Sequence, residues 1–200
     1  MKKVEIILVA VVLLGTLLKY AHLPGGSVLM VFGGALLAFV YLLFSPALMN
    51  DIGFRQMLKG GLRDQNSATL SLSIFAGVTF CIGTIAYVFM QQFWTGGEVL
   101  TYLTIILFTI VMFLAMLMLQ KPEPLAYRNI LLRSIPLVAA MLFFVIVPLS
   151  TRLEMLYPDD QTYRELFQEY LENPDDEYSK QQFLDYKAAK QGYITPVEEE

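Results

Sequence analysis

The sequence predicts an all-α fold: a polytopic membrane helix bundle of five transmembrane helices followed by a short helical C-terminal tail. Three observations carry this. Hydrophobic residues make up 56% of the 200 residues and charged ones only 16%, with a mean hydropathy of +0.55. That balance excludes disorder and argues against an ordinary soluble domain. Five apolar segments, 4–21, 27–49, 68–90, 98–119 and 130–150, reach or approach the ~20 residues a membrane helix needs. Charge also divides along the chain. Residues 1–150 hold nine Lys/Arg and five Asp/Glu, a net of +4, and residues 151–200 hold five and thirteen, a net of −8. A transmembrane portion therefore precedes an acidic extramembrane tail, and nothing basic enough for nucleic acid is present.

The first segment follows Met1-Lys2-Lys3 and imitates a signal peptide. Lys19 closes it, no small-x-small cleavage pattern stands out, and a second span follows at once, so it reads as an uncleaved anchor. Between the first two segments lies GTLLKYAHLPGGSVLMVFGG, from Gly15 to Gly34, with the breaker Pro24-Gly25-Gly26 at its centre. A weaker copy spans Gly83–Leu100. Gly15-Thr16 matches Gly83-Thr84 at an offset of 68, and Gly25-Gly26-Ser27-Val28-Leu29 matches Gly96-Gly97-Glu98-Val99-Leu100 at 71. Three residues would be inserted between these anchors. They describe two parallel hairpin repeats plus one helix, not the inverted repeat of many transporters. Gly25-Gly26 and Gly96-Gly97 are expected to take positive φ in the turns. Gly33-Gly34, Gly77 and Gly83 are expected to let helix backbones approach.

Residues 50–67 read as a loop with an interfacial helix capped by Asn50 or Asp51. Arg55, Lys59 and Arg63, at i, i+4 and i+8, form one cationic stripe on it, a candidate contact for anionic lipid or an ordinary positive-inside loop. Gly60-Gly61 limits the helix. Glu98 suits the positive end of the fourth helix dipole. In the fifth segment Arg133 lies one turn inside, where it can snorkel to headgroups, and Pro136 and Pro148 interrupt. That segment reads as a span, with a re-entrant or surface helix as the rival. Lys2, Lys3, Arg55, Lys59, Arg63, Lys121 and Arg128 fall on one side, which should be cytoplasmic. The tail then faces outward. In it, Asp159 or Asp160 caps a helix to Asn173 with Tyr163, Leu166, Phe167, Tyr170 and Leu171 on one face, and Pro174 ends it. Ser179 with Gln182 starts a second helix running to Gly192, with Phe183, Leu184 and Tyr186 as apolar contacts, and Thr195 to Glu200 form a loose acidic end.

Few groups offer chemistry. No ionisable residue lies in the middle of a span, which disfavours a proton relay. Thr16, Ser71, Ser73, Thr79, Thr84, Thr104 and Thr109 are expected to bond their own helix backbones. His22, the single histidine, sits with Lys19, Tyr20 and Tyr87 in a possible polar cluster at the outer interface. Lys19 itself is expected to snorkel. No ligand set suggests a metal, and no cofactor or catalytic residue is assigned. Asp159-Asp160 and Asp175-Asp176-Glu177 lack the alternation of a calcium loop. Cys81, the single cysteine, reads as a small buried hydrophobe. Phe93, Trp94, Tyr102 and Tyr157 sit at predicted boundaries like interfacial anchors.

The run GTLLKYAHLPGGSVLMVFGGALLAF resembles the first hairpin of the gliding motility protein L family, inner-membrane proteins of Bacteroidota. Gly15, Lys19, His22, Pro24 and Gly25 match that family's pattern, and Leu23 replaces its usual aromatic residue. The resemblance covers about forty residues and implies a hairpin in a bacterial inner membrane. The family has two spans and a long cytoplasmic region. Its second helix carries a glutamate implicated in proton-driven force generation, whereas Gly33 to Phe39 here holds no carboxylate.

These readings lead to a non-enzymatic integral membrane scaffold or accessory subunit of a bacterial envelope complex, its tail docking a partner. The expected setting is the inner (cytoplasmic) membrane, N-terminus cytoplasmic and tail periplasmic. Expected partners are membrane lipids and either further copies or other envelope proteins. The alternatives are a small transporter or channel component, and a membrane enzyme using the cluster around His22.

Overall fold

The computed structural model describes residues 1–63, 65–120 and 124–190. Lys121, the expected helix end at Gly192 and the acidic terminus from Thr195 lie outside them. Among the described residues the chain is all-helical: α1 (Lys2–Tyr20), α2 (Gly26–Met49), α3 (Phe54–Leu58), α4 (Ser67–Gln92), α5 (Gly97–Met118), α6 (Pro124–Ile146), α7 (Leu149–Leu156), α8 (Gln161–Glu172) and α9 (Glu177–Lys190). The protein is a polytopic membrane helix bundle. Four helices are long and apolar enough to cross a membrane: α2, α4, α5 and, within α6, Leu125–Ile146. The segment that looked weakest in sequence is thus among the four. Pro148 lies beyond it, as the N-cap of α7. The helix that drops out of the expected five is α1, because Lys2, Lys3 and Glu5 charge its first turn and Lys19 its last.

The chain divides into two compact units, residues 1–145 and 146–200. In the first, close backbone seams join α1 to α2, α2 to α4 and α4 to α5. Lipid gives helices no hydrophobic reason to associate, so contact depends on small residues and polar ties. A Cβ on Gly15 would lie 2.6 Å from the Met30 amide nitrogen, and one on Gly26 would lie 2.5 Å from the Lys19 nitrogen. Further along, Gly33 receives Val11, Gly34 receives Val88, Gly77 receives Ser45, and Gly83 receives Phe108 and Thr104. Inside these seams the rings of Tyr41, Phe80 and Phe108 stand 5.1 and 5.3 Å apart in succession, linking α2, α4 and α5. The hydroxyls of Thr79, Thr84 and Thr109 each donate to the carbonyl four residues back, as expected. Thr104 differs: its hydroxyl is buried with no protein partner.

The two hairpin turns share one geometry at a uniform offset of 71 residues. His22 and Phe93 both take left-handed φ, 55° and 56°, and Gly25 and Gly96 follow at 87° and 84°. Leu23 N donates to Leu18 O at 2.9 Å, and Trp94 N donates to Phe89 O at 3.0 Å. Each is the long backbone bond of a glycine-type helix stop. Positive φ is confined to the first glycine of each pair. Gly26 and Gly97 are the buried first residues of α2 and α5, where their small size serves the seam. In this register Gly15 falls opposite Ala86 rather than Gly83, and no inserted residues are needed between the turns.

The second unit builds a small core from aromatic rings. Phe183 is buried and lies 4.7 Å from Phe167 and 5.4 Å from both Tyr170 and Tyr163. The expected face of α8 is used, whereas Leu184, expected to be an apolar contact, is exposed. Asp160 caps α8 by accepting from Tyr163 N at 2.9 Å, and also accepts from the Tyr186 hydroxyl at 2.9 Å and from the Lys190 ammonium. The cap of α9 is Asp176, which accepts from Tyr178 N at 3.3 Å and Ser179 N at 3.2 Å. The helix therefore begins before the Ser179–Gln182 pair, because an aspartate satisfies the free amides two and three residues ahead of it.

Two outcomes are expected. Gly15→Ala or Gly26→Ala forces backbone against backbone and lowers stability by about 1–3 kcal/mol, read as a drop in the thermal midpoint in detergent; Gly25→Ala, where a Cβ would meet nothing within 4 Å but φ is 87°, should lose about 1–2 kcal/mol to backbone strain alone. In the tail, the Lys190 bond first, then the Tyr163 amide and Tyr186 hydroxyl, hold the Asp160 carboxyl below the usual range. Ser179 does the same for Asp176. A carboxyl depressed on folding stabilises fully above its unfolded value of about 3.9 and loses that contribution as pH falls through the folded one. Amide NMR of residues 161–190 should therefore show the hairpin weakening on acidification below about pH 4, and Asp160→Asn should remove part of that acid dependence.

Candidate functional site

The expected outer cluster forms in part. Lys19, in the last turn of α1, donates to the carbonyl of Gln91 and lies 3.4 Å from Gln92 Oε1. Its ammonium stands 5.1 Å from the Phe93 ring centre. A cation on the carbonyls that end α4 complements that helix's dipole. Lys19 thus caps a neighbouring helix instead of snorkelling. Gln91 Nε2 donates to the Tyr87 hydroxyl at 3.5 Å, and that hydroxyl shares a 2.9 Å bond with Thr16. Gln92 Nε2 reaches the Ser27 carbonyl at 3.3 Å. The structure therefore joins Lys19 to Tyr87 through Gln91, and these bonds tie the two hairpin turns together. Tyr20 is half-buried at the end of α1, and His22 is exposed in the turn, as are Pro24 and Gly25.

The cationic stripe does not form on one helix. α3 is five residues long and is capped by Gly53, whose amide donates to Gln56 Oε1 at 3.1 Å, not by Asn50 or Asp51. Asn50 Nδ2 instead donates to the Pro46 carbonyl, 2.7 Å, and Asp51 takes an ion pair with Lys2, 2.7 Å. Gly60 at φ 87° and the bond from Gly61 N to Gln56 O, 2.8 Å, stop the helix. Arg55 is helical, Lys59 is the C-cap and Arg63 lies in the turn beyond; all three are exposed.

Sequence reasoning missed the principal buried polar site. Glu5 on α1 and Arg133 on α6 form a two-pronged ion pair inside the first unit. Arg133 Nε donates to Oε1 at 2.7 Å and Nη2 donates to Oε2 at 3.0 Å. The side chains are only 8% and 15% exposed respectively, so this is a buried pair. The Tyr41 hydroxyl adds a 3.1 Å bond to Glu5, and Arg133 Nη1 reaches the Asn129 carbonyl at 3.4 Å. Asn129 Nδ2 in turn donates to the Met49 carbonyl at 2.7 Å, closing the end of α2. Because α6 begins at Pro124, Arg133 stands nine residues in, about 13 Å at the helical rise. It is paired there rather than snorkelling. The signal was present in sequence as two opposite charges, each interrupting an apolar run, but spacing alone does not say that positions 5 and 133 meet.

These bonds explain how α6 is held. It has no backbone seam as close as those joining α1, α2, α4 and α5. Polar side chains tie its first half instead: the 2.7 Å bond between Tyr127 and Thr69, the Asn129 bond to α2, and the Arg133 pair. Near its other end Met141 and Phe144 pack with Ala86 and Met90. A cavity of about 480 Å³ is left between these attachments. Glu5 and Arg133 lie at its polar end; Ile6, Val9 and Leu13 of α1 and Leu137 and Ala140 of α6 line its length, with Thr84 and Tyr87 of α4 also on its wall.

Among the described residues no three His, Cys, Asp or Glu gather to hold a metal. No family model matches the chain, and no curated protein or solved structure matches it.

Removing one partner of a buried ion pair strands the other charge, which costs about 3–5 kcal/mol, whereas replacing both with apolar residues is often neutral or stabilising. Arg133→Leu alone should therefore lower the thermal midpoint in detergent sharply, and Glu5→Leu with Arg133→Leu should restore most of it. An additive loss in the double variant would show that the pair carries no coupling.

Proposed function

We propose that the chain is a non-enzymatic membrane scaffold or accessory subunit, whose glycine-seamed bundle anchors a helical docking module. The observation that carries this reading is the separate tail unit. It has its own aromatic core and its own capped helices, and its net charge is strongly negative across residues 151–200. Such a module suits a basic partner surface, since complementary charge steers association and sets register.

In this reading α1 is a fifth span. Its charges sit in its end turns, its interior from Ile6 to Leu18 is uncharged, and Glu5 is neutralised by Arg133. Nineteen residues extend about 28 Å, close to the ~30 Å hydrocarbon layer. The common turn geometry at an offset of 71 supports a duplicated parallel hairpin. Lys2, Lys3, Arg55, Lys59, Arg63 and Arg128 favour a cytoplasmic N-terminus. Five spans then place the tail in the periplasm of a bacterial inner membrane, the setting that the resemblance of the first hairpin suggests. Further copies or other envelope proteins are the partners proposed. A second reading, a small transporter or channel component, draws on the buried Glu5–Arg133–Tyr41 cluster, since intramembrane ionisable groups are the usual mark of such pathways.

Alkaline-phosphatase and fluorescent-protein fusions after Lys190 test the topology; phosphatase activity without fluorescence is expected, and the reverse pattern sinks the five-span arrangement. Deleting residues 158–200 should abolish co-purification of the envelope partner while membrane insertion persists. Partner retention after that deletion would remove the docking role.

A further inference from the structure

The cavity between α1 and α6 has a neighbour at its polar end. A second cavity of about 280 Å³ is lined by Lys2, Lys3, Asp51 and Gly53, and Lys2 lines both. We propose that the two form one binding site for a phosphate-bearing anionic membrane lipid, its headgroup against Lys2 and Lys3 and one acyl chain lying along α1 and α6.

Length, polarity and charge agree. From Lys2 to Leu13 the groove follows α1 for eleven residues, about 16 Å. That is about half the ~30 Å hydrocarbon thickness, the depth of one leaflet. The lining changes in the order a lipid would require. Charged groups come first, at Lys2, Glu5 and Arg133, and aliphatic ones follow, at Val9, Leu137 and Ala140. The outer edges carry exposed apolar side chains, Ile6 and Leu13 on one helix and Leu132 on the other, so the groove opens sideways toward lipid. At the polar end Arg133 is already matched by Glu5 and Lys2 is paired with Asp51. Lys3 is exposed and adds the unbalanced positive charge. Lys2 is itself only half-buried, so its ammonium remains reachable by a second acceptor. Each basic residue near a membrane surface is worth about a fivefold preference for anionic lipid. The site also accounts for the attachment of α6: polar bonds hold its first half, and the chain of a lipid fills the gap that no glycine seam closes. This assignment rests on the reading of α1 as a span and is independent of the tail's docking role and of the partner.

The test is electron paramagnetic resonance on the full chain in phosphatidylcholine nanodiscs containing a trace of phosphatidylglycerol spin-labelled on its acyl chain. A motionally restricted component is expected, with phosphatidylglycerol favoured over labelled phosphatidylcholine. Val9→Trp and Ala140→Trp fill the groove and should remove most of that component. Ile106→Trp, on an exposed position of α5, should leave it. Lys2→Gln with Lys3→Gln removes the partly exposed Lys2–Asp51 ion pair and should cut the phosphatidylglycerol preference at least fivefold while the protein stays folded. The proposal is overturned if the parent shows no restricted component, if the tryptophan variants retain it in folded protein, or if the double glutamine variant keeps the full preference. It is equally overturned if a second copy occupies the groove, seen as a dimer that Ala140→Trp dissociates with no change in restricted lipid. Should the tryptophan variants fail to fold, the glutamine pair alone decides.

Discussion

Gly15 and Gly26 bring α1 and α2 so close that backbone meets backbone, and the rest of the bundle depends on that kind of contact. In lipid an apolar side chain gains nothing by leaving one hydrocarbon environment for another, so helices associate through close packing and hydrogen bonds. Gly34 against Val88 and Gly77 against Ser45 extend the same logic from α2 to α4, and Gly83 against Phe108 extends it to α5. The result is a closely packed core of four helices, with the Tyr41–Phe80–Phe108 rings through its centre. Polar ties close its ends. Lys19, Gln91 and Gln92 bind the two hairpin turns at one end, and Lys2 with Asp51 joins the opposite ends of α1 and α2.

α6 belongs to the same unit by a different principle. It brings no glycine to a seam; polar bonds from Tyr127, Asn129 and Arg133 attach its first half, and Met141 and Phe144 pack against α4 near its other end. A buried ion pair is a weak source of net stability but a strong source of position, because each charge is costly anywhere except beside the other. Glu5 and Arg133 therefore specify where α6 lies along α1. Side-chain attachment leaves space that backbone contact would have closed, and the cavity lies in that space. The tail unit has no glycine seam, and polar bonds from Tyr186 and Lys190 to Asp160 tie α9 to the start of α8. Its helices pack through stacked rings around Phe183 and are bracketed by Asp160 and Asp176, the pattern of a small domain in water.

Much of this was legible along the chain. Apolar run length located the helices α2, α4, α5 and α6, since the bilayer thickness fixes how long such a run must be. Gly25 and Gly96 marked the two turns, and Asp160 and Pro174 the ends of α8, because local backbone chemistry acts within a few residues. The charge break at residue 150 separated tail from bundle to within five residues of the structural division at 145. The cationic stripe on Arg55, Lys59 and Arg63 was misplaced because a helical period was extended through Gly60-Gly61, where the chain turns.

The sequence by itself determined the apolar runs that become α2, α4, α5 and α6, the turns at Gly25 and Gly96 and the ends of α8, because those properties depend on neighbours in the chain; it missed α7 and set the start of α6 at residue 130 rather than Pro124. Tertiary structure alone decided that Glu5 meets Arg133, that Lys19 caps α4, and that α6 stands off far enough to leave a groove. Those facts join residues 72 to 128 positions apart, and nothing in local spacing encodes which distant helix a charge will face once the glycine seams have closed.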